Sequence, residues 1–297
     1  FVVSVAMQQG TVTRAASFDA PVVSGGVGVN VGMSGGVSVS VVGSGFGVED
    51  STAFTRVGGS VCTQSEWVSD SCIYGRISDG GVTGADQQVV TVGMQAGTIS
   101  EVYSFDQPVL SSAVGANVPT QGNTLVTLVG ASYGLQGSSL VARLGGSTAH
   151  SSVWRSDSSI GCLFSPGFGH SQDVAVTIST RAGTMTRAVS YNRPSLQSKV
   201  ENVAVTGHHA VSIRGGEFSV VEHSQISRIG SSSTGASHWV SDSSLASIVP
   251  HGLAASQRFV VSVAMQQGTV TRAASFDAPV VSGGVGVNVG MSGGVSV

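Results

Sequence analysis

Residues 1–39 read FVVSVAMQQGTVTRAASFDAPVVSGGVGVNVGMSGGVSV, and the same letters return without a change at residues 259–297. Repeats that share only a fold keep scattered identities, so an unbroken copy of this length indicates a sequence that repeats periodically. We interpret the chain as a window, slightly longer than one period, onto a polymer of this sequence. Its two ends are then arbitrary points in the repeat.

Composition excludes several classes of protein. Charged residues make up 10% of the chain, against roughly 25% in ordinary soluble domains. With 41% hydrophobic residues and a net charge of −3, the chain is expected to fold. Its 13 basic and 16 acidic residues predict no face for nucleic acid or an anionic membrane. No apolar run approaches the ~20 residues of a membrane span, so no membrane-spanning segment is expected in this window.

A second repeat of about 86 residues lies inside the longer one. Its landmarks are three prolines and three copies of the phrase Trp-x-Ser-Asp-Ser. We list these anchors as Pro21, Pro108 and Pro194, then Trp67, Trp154 and Trp239, then Asp70, Asp157 and Asp242. The spacing predicts three diverged modules at 19–105, 106–192 and 193–276, preceded by the closing hairpin of another module (1–18) and followed by the first strands of the next (277–297).

Within a module the pattern is that of β-strands. Val174, Val176 and Ile178 alternate with small polar residues, so they should face a core, and no stretch keeps a helical period. About seven short strands, with turn residues every 8 to 12 positions, are typical of an antiparallel sandwich. The predicted fold is all-β: tandem immunoglobulin-like β-sandwich modules of about 86 residues in a linear array.

The order of these motifs resembles the IPT/TIG immunoglobulin-like repeat. The resemblance rests on the proline, a strand followed by Gly-Ser-Gly-Phe46, an Arg-x-Gly, the Trp phrase and a final hairpin, and it covers essentially the whole chain three times over. Domains of that family also occur in DNA-binding transcription factors, and the missing basic face disfavours such a role for this chain.

The three cysteines are Cys62, Cys72 and Cys162. Cys62 and Cys72 flank Trp67 at a spacing that two adjacent antiparallel strands could bridge. The resemblance implies a disulfide at a related pair of positions, so a variant Cys62–Cys72 bridge is expected. Cys162 is then either buried as a small apolar group or used between chains.

No candidate chemistry emerges from the polar residues. The histidines His208, His209, His223 and His238 lack a zinc-like spacing and are interpreted as surface or turn residues. Because the Trp phrase occurs in all three modules, we expect it to serve packing and turn formation and not catalysis. The chain is therefore predicted to be neither an enzyme nor a binder of metals or cofactors.

Hydroxyl-bearing residues could carry O-linked sugars, which would solubilise a surface so poor in charge. The alternative is an ordinary β-sheet surface, for which Thr is well suited. The candidates are Thr177, Ser179 and the cluster Ser231, Ser232, Ser233 and Thr234.

The resulting hypothesis is a structural protein, extracellular or at the cell surface, that forms a filament or surface fibre. Its partners would be copies of itself, joined end to end or by strand exchange, together with covalent glycans. The alternative is a cell-surface adhesin, that is, a carbohydrate- or protein-binding repeat protein. An adhesin should concentrate aromatic and charged side chains in one module, whereas the three modules look similar and aromatics total 6%.

Overall fold

The computed structural model describes residues 2–13, 17–28, 30–50, 52–78, 87–135, 139–197 and 202–283. These residues form strands and turns and include no helix. The predicted all-β fold is confirmed. Within the same ranges there is accordingly no helical segment of the length and apolarity needed to cross a membrane.

A hairpin and three runs of strands follow one another along the chain. The hairpin consists of β1 (Val2–Val5) and β2 (Gln8–Thr11). The first run is β3 (Val22–Val27), β4 (Asn30–Val31), β5 (Ser38–Ser44), β6 (Phe54–Val57), β7 (Ser60–Val61), β8 (Gln64–Ser69), β9 (Cys72–Arg76), β10 (Gln88–Val92), β11 (Gln95–Ile99) and β12 (Ser104–Phe105). The second is β13 (Val109–Val114), β14 (Asn117–Val118), β15 (Leu125–Ala131), β16 (Leu140–Leu144), β17 (Ser147–Thr148), β18 (Ser151–Ser156), β19 (Ser159–Leu163), β20 (Gln172–Ile178) and β21 (Arg181–Tyr191). The third is β22 (Ser195–Leu196), β23 (Asn202–Val203), β24 (Ala210–Gly216), β25 (Ile226–Ile229), β26 (Ser232–Ser233), β27 (Ser237–Ser241), β28 (Ser244–Ile248), β29 (Gln257–Val263) and β30 (Gln266–Phe276).

Each run builds the same pair of sheets, which we call the first, second and third sandwich. One sheet has the order β3-β5-β9-β8, repeated as β13-β15-β19-β18 and as β22-β24-β28-β27. The other is β14-β21-β20-β16-β17 in the second sandwich and β23-β30-β29-β25-β26 in the third. In the first sandwich it is β11-β10-β6-β7, with β12 and β4 forming a separate parallel pair. The chain is therefore a tandem series of Ig-like sandwiches.

The cores follow the predicted alternation. Val174 and Val176 are fully buried and Ile178 is 1% exposed, while the residues between them are half-buried. The register of β20 against β16 and β21 places the three apolar side chains on one face. In the third sandwich a cluster that includes Phe218, Phe259 and Leu245 fills the equivalent space.

The Trp-x-Ser-Asp-Ser phrase holds the loop that follows the second long strand of its sandwich. In the second sandwich the Trp154 indole N–H donates to the Gly134 carbonyl at 3.1 Å, and Asp157 accepts from the Gly134 N–H at 2.8 Å. The Ser158 N–H donates to the Ser156 hydroxyl at 3.3 Å, which closes the turn. The phrase thus serves packing and turn formation, and Trp239 repeats the indole bond to the Ser219 carbonyl at 3.0 Å.

By the density of internal contacts the chain divides into two compact units. The first consists of Phe1–Ala116, Asn123–Ser165 and Ser171–Val189, and the second of Asn117–Gly122, Pro166–His170 and Ser190–Val297. The first unit contains the first sandwich and most of the second. The second unit contains the third sandwich with short segments of the second.

The two copies of the repeated sequence differ in burial. In β29, Val261 and Val263 are 0% and 2% exposed, whereas their counterparts Val3 and Val5 in β1 are 63% and 71% exposed. The sequence and the hairpin are the same, so the difference comes from the remainder of the third sandwich, which covers one copy only.

This pair of copies provides a matched test of packing around glycine. A Cβ atom at Gly268 would lie 2.1 Å from the Pro194 carbonyl oxygen, while one at Gly10 meets nothing within 4 Å. Gly268→Ala should therefore lower the free energy of unfolding by about 1–3 kcal/mol. Gly10→Ala should change it by less than about 0.5 kcal/mol, as is usual at open surface positions. Urea denaturation of both variants measures the difference, and equal effects would contradict the close approach of Pro194.

Candidate functional site: the junctions between sandwiches

The chain leaves one sandwich and enters the next through four residues. They are Phe105-Asp106-Gln107-Pro108, Tyr191-Asn192-Arg193-Pro194 and Phe276-Asp277-Ala278-Pro279. The first two residues of each junction still belong to the sandwich being left: the Asp106 N–H donates to the Val31 carbonyl at 2.9 Å, and the Asn192 N–H donates to Val118 at 2.8 Å. This pairing is parallel, with Phe105 opposite Val31 and Tyr191 opposite Val118.

Pro108 and Pro194 already belong to the sandwich being entered, and so does Pro21, the equivalent residue ahead of the first sandwich. The proline carbonyl packs against a glycine of the last hairpin, because a Cβ atom at Gly183 would lie 1.9 Å from the Pro108 oxygen. The same approach recurs between Pro194 and Gly268 and between Pro21 and Gly97. Only one residue, such as Gln107 or Arg193, therefore separates the contacts made on the two sides. A connection this short leaves few backbone torsions free.

A side chain from the hairpin of the entered sandwich bonds back across the junctions at Phe105 and Tyr191, and across the matching stretch Phe18–Pro21 that leads into the first sandwich. We call Gln95, Arg181 and Gln266, the first residues of β11, β21 and β30, the clamp residues. Gln95 donates to the Phe18 carbonyl at 2.6 Å, Arg181 to the Phe105 carbonyl, and Gln266 to the Tyr191 carbonyl at 2.8 Å. The Arg181 guanidinium also lies 5.5 Å from the centroid of the Phe105 ring, within the range of a cation–π contact.

A second contact, within the second compact unit, centres on Thr120, which is 1% exposed. Its N–H donates to Glu217 at 2.6 Å, and its hydroxyl lies 2.8 Å from Glu217 and 2.7 Å from Asp242. Gln121 donates to the second Asp242 oxygen at 3.1 Å, and Asn192 donates to the second Glu217 oxygen at 2.9 Å. Both carboxylates are thus hydrogen-bonded, which stabilises their burial against this loop.

The equivalent position in the first sandwich is apolar. Met33 lies two residues after β4, as Thr120 lies two residues after β14. Met33 is 2% exposed. It packs on Gly134, where a Cβ atom would lie 3.5 Å from the Met33 Cβ. One contact is therefore apolar and the other polar. No sequence signal revealed either, because the partners are about a hundred positions apart.

The cysteines correct one expectation. All three are free, and the predicted Cys62–Cys72 disulfide is not formed. Cys72 pairs with Val42 and Ser69, while the Cys62 sulfur lies 3.2 Å from where a Gly75 Cβ would be. In the second sandwich Cys162 holds the place of Gly75 in the ladder, opposite Ser152 as Gly75 is opposite Ser65. A disulfide between these two places would need cysteine at both in one sandwich. At these places the first sandwich has only Cys62 and the second has only Cys162.

Burial raises the pKa of both inner thiols. It raises the pKa of Cys162 to about 11, opposed by a hydrogen bond to Ser152. It also raises the pKa of Cys62, opposed by a hydrogen bond to Thr55. Thiolate is the reactive form, so both groups are chemically quiet near neutral pH.

The candidate glycosylation residues differ in access. Ser231, in the turn before β26, and Ser232 and Ser233, which form β26, are all exposed. Thr234 is only 9% exposed, and its hydroxyl lies 2.7 Å from that of Ser227 inside a buried group of hydroxyls. Thr177 and Ser179 are half-buried.

The histidines do not converge. The His223 ring packs on Phe168 with centroids 4.2 Å apart, and His208 Nδ1 lies 3.2 Å from the Thr206 carbonyl. Within the ranges that the structure describes, no three His, Cys, Asp or Glu side chains are grouped as a metal site.

Two shallow cavities lie on exposed sheet faces. One, of about 260 Å³, lies in the third sandwich and is lined by Arg228, Arg258 and Thr269, among others. The other, of about 200 Å³, lies in the first sandwich beside Tyr74 and Glu66.

Comparison with known proteins finds only distant structural likenesses. No family model and no curated protein sequence matches the chain. Among solved structures, the extracellular region of plexin A4 matches 81% of this chain at 17% identity with a TM-score of 0.31, and the chain spans 22% of that protein. A tandem fragment of titin matches 84% at 8% identity, with 96% of the fragment covered and a TM-score of 0.28. A surface glycan-binding protein from Prevotella bryantii matches 56% at 13% identity, with 42% of that protein covered and a TM-score of 0.38.

Thiol titration tests the cysteine geometry. Native protein without reductant should react with a thiol reagent at Cys72, while Cys62 and Cys162, at 6% and 0% exposure, should react only after unfolding. Denatured, unreduced protein should then yield three thiols. A yield of one thiol would show that the Cys62–Cys72 disulfide is formed.

Gln266 and Gln8 occupy the same place in the repeated sequence and test the clamp. Gln266 is 4% exposed and bonded to Tyr191, whereas Gln8 is exposed. Gln266→Ala removes a buried hydrogen bond and leaves a carbonyl unpaired, so the free energy of unfolding should fall by about 1–3 kcal/mol. Gln8→Ala should have an effect below about 0.5 kcal/mol. Equal denaturation midpoints for the two variants would rule out a stabilising clamp.

Proposed function

We propose that the chain is part of a structural filament or surface fibre built from tandem IPT/TIG-like sandwiches, located outside the cell or on its surface. The observation that carries the proposal is the recurrence of one junction: a single free residue, a proline carbonyl against a glycine, and a clamp side chain reaching back. A module that serves only as a tether needs no such repeated contact.

Periodicity supports the same function. An array in which each repeat contacts only its neighbours can grow in length without a change in local stability. A sequence that returns unchanged after three sandwiches is suited to such growth. The partners are therefore other copies of the same sequence, joined covalently or by strand exchange. The exposed apolar residues of β1, which are buried in β29, are the kind of surface that either route would cover.

Surface chemistry supports an extracellular setting. Charged side chains are few, so hydroxyl groups and sugars attached to them supply the solubility that charge supplies elsewhere. Ser231, Ser232 and Ser233 are the accessible candidates for O-glycans, while Thr234 is shielded. No catalytic role is part of this proposal.

Electron microscopy of the native material tests the filament. We expect fibres with an axial repeat of one sandwich, roughly 35 to 45 Å at ~3.3 Å per strand residue, or of three. Peptide mapping by mass spectrometry of the same preparation should find hexose-bearing peptides that contain Ser231 to Ser233 but no modified Thr234. Discrete monomers near the 29.7 kDa of this chain would contradict the filament.

A further inference from the structure

The outer face of the β3-β5-β9-β8 sheet carries a group of side chains that the other sandwiches lack. On three neighbouring strands, Ser40, Tyr74 and Glu66 lie in one row, and Ser38, Arg76 and Gln64 lie in the next. We call these six residues the Tyr74 face. Ile73 and Gly75 are buried and alternate with Tyr74 and Arg76, so the group points away from the core.

The Tyr74 ring is open to solvent. Tyr74 is 45% exposed, whereas the other three tyrosines of the chain, Tyr103, Tyr133 and Tyr191, are 2%, 0% and 6% exposed. The cavity of about 200 Å³ lies against this ring and is lined by Glu66, Gln64 and Arg76. It is shallow, as expected for a sheet face that receives a ligand from solvent.

The polar groups on the face are available for a ligand. Among the described residues the structure gives no hydrogen-bond partner to the Tyr74 hydroxyl, the Glu66 carboxylate or the Gln64 amide. Arg76 donates its Nε–H to the Gly36 carbonyl at 3.1 Å, which fixes the guanidinium plane and leaves its outer nitrogens free to donate. Donors and acceptors therefore surround one exposed aromatic ring.

The fold does not require these residues. In the second sandwich Gly161 and Val153 form the pair that Tyr74 and Glu66 form in the first, and Leu163 stands at the place of Arg76. In the third sandwich the Tyr74–Glu66 pair is replaced by Ala246 and His238. The same strand order is built with and without the group, so this strand order does not depend on it.

We propose that the Tyr74 face binds a hexose unit of a neutral polysaccharide. One face of a pyranose ring presents C–H groups that pack on an aromatic ring. Its neighbouring hydroxyls both donate and accept, which matches a carboxylate, an amide and a guanidinium placed around the ring. The charges of Glu66 and Arg76 balance, so the face does not select a polyanion, and the Glu66 carboxylate repels phosphate and acidic sugars. This inference does not rest on filament formation.

Binding should be measured by isothermal titration calorimetry on the full chain. The probes are tetra- to hexasaccharides of β-linked glucose, mannose and galactose, with polygalacturonate as the acidic comparison. We expect saturable binding of at least one neutral oligosaccharide, in the micromolar to millimolar range typical of a shallow site. No binding of any neutral probe at 10 mM overturns the proposal, and so does a stronger response to polygalacturonate.

Variants separate the face from the fold. Tyr74→Ala should weaken binding about tenfold or more, while Tyr74→Phe, which keeps the ring, should stay within about threefold. Glu66→Gln should weaken binding severalfold, because a charge-assisted hydrogen bond to a sugar hydroxyl is lost. Phe54→Ala is the matched control, since Phe54 is 56% exposed on the other sheet of the same sandwich. An unchanged affinity in Tyr74→Ala, or an equal loss in Phe54→Ala, contradicts the site. Circular dichroism melts of each variant establish that folding is intact.

Discussion

The passage of the backbone from one sandwich into the next is the constraint on which the tandem arrangement depends. The aromatic residue that closes one sandwich pairs in parallel with a short strand of that sandwich. The proline three residues later packs against a glycine in the last hairpin of the next sandwich. A glycine is required there because any Cβ atom would overlap the proline carbonyl. The clamp side chain then donates to the carbonyl of the aromatic residue, and at Tyr191 this carbonyl would otherwise be a buried and unpaired acceptor.

The repeated sequence shows how far local sequence determines structure. Residues 2–11 and 260–269 form the same hairpin in both copies, so strand and turn formation follow from local pattern. Burial does not, because the valines of β1 are exposed and those of β29 are in a core.

Alternation predicted which side chains of β20 face inward, and the recurring Trp phrase predicted a turn. The contacts of Thr120 with Glu217 and Asp242 could not be predicted, since they depend on which loops a junction brings together. The predicted Cys62–Cys72 disulfide was wrong for a related reason, because the strand register separates two residues that are near in sequence.

The first sandwich departs most from the common pattern. Gln88 is fully buried, and among the described residues both polar atoms of its side-chain amide lack a hydrogen-bond partner. It stands at the register position that Val174 and Phe259 fill in the other two sandwiches. The Trp67 indole N–H is also unpaired within the described residues, although its counterparts donate to loop carbonyls. Each buried unpaired group is destabilising by about 1–3 kcal/mol. Departures of this kind are tolerated where a module has been adapted to a task other than stability, and this is the sandwich that carries the Tyr74 face.

A filament and a sugar-binding face are compatible because their positions in the repeat are different. The clamp residues occupy one end of each sandwich and recur in every one, whereas the Tyr74 face lies on a sheet surface and occurs once among the three. In a periodic polymer the face therefore returns once for every three sandwiches. If the Tyr74 face binds a hexose, one shallow site would bind it weakly. Sites repeated along one chain would engage a long polysaccharide together, because the second and later contacts benefit from a high effective concentration. Affinity for a long polymer then depends on the number of periods, so a weak site is sufficient when the scaffold supplies many copies.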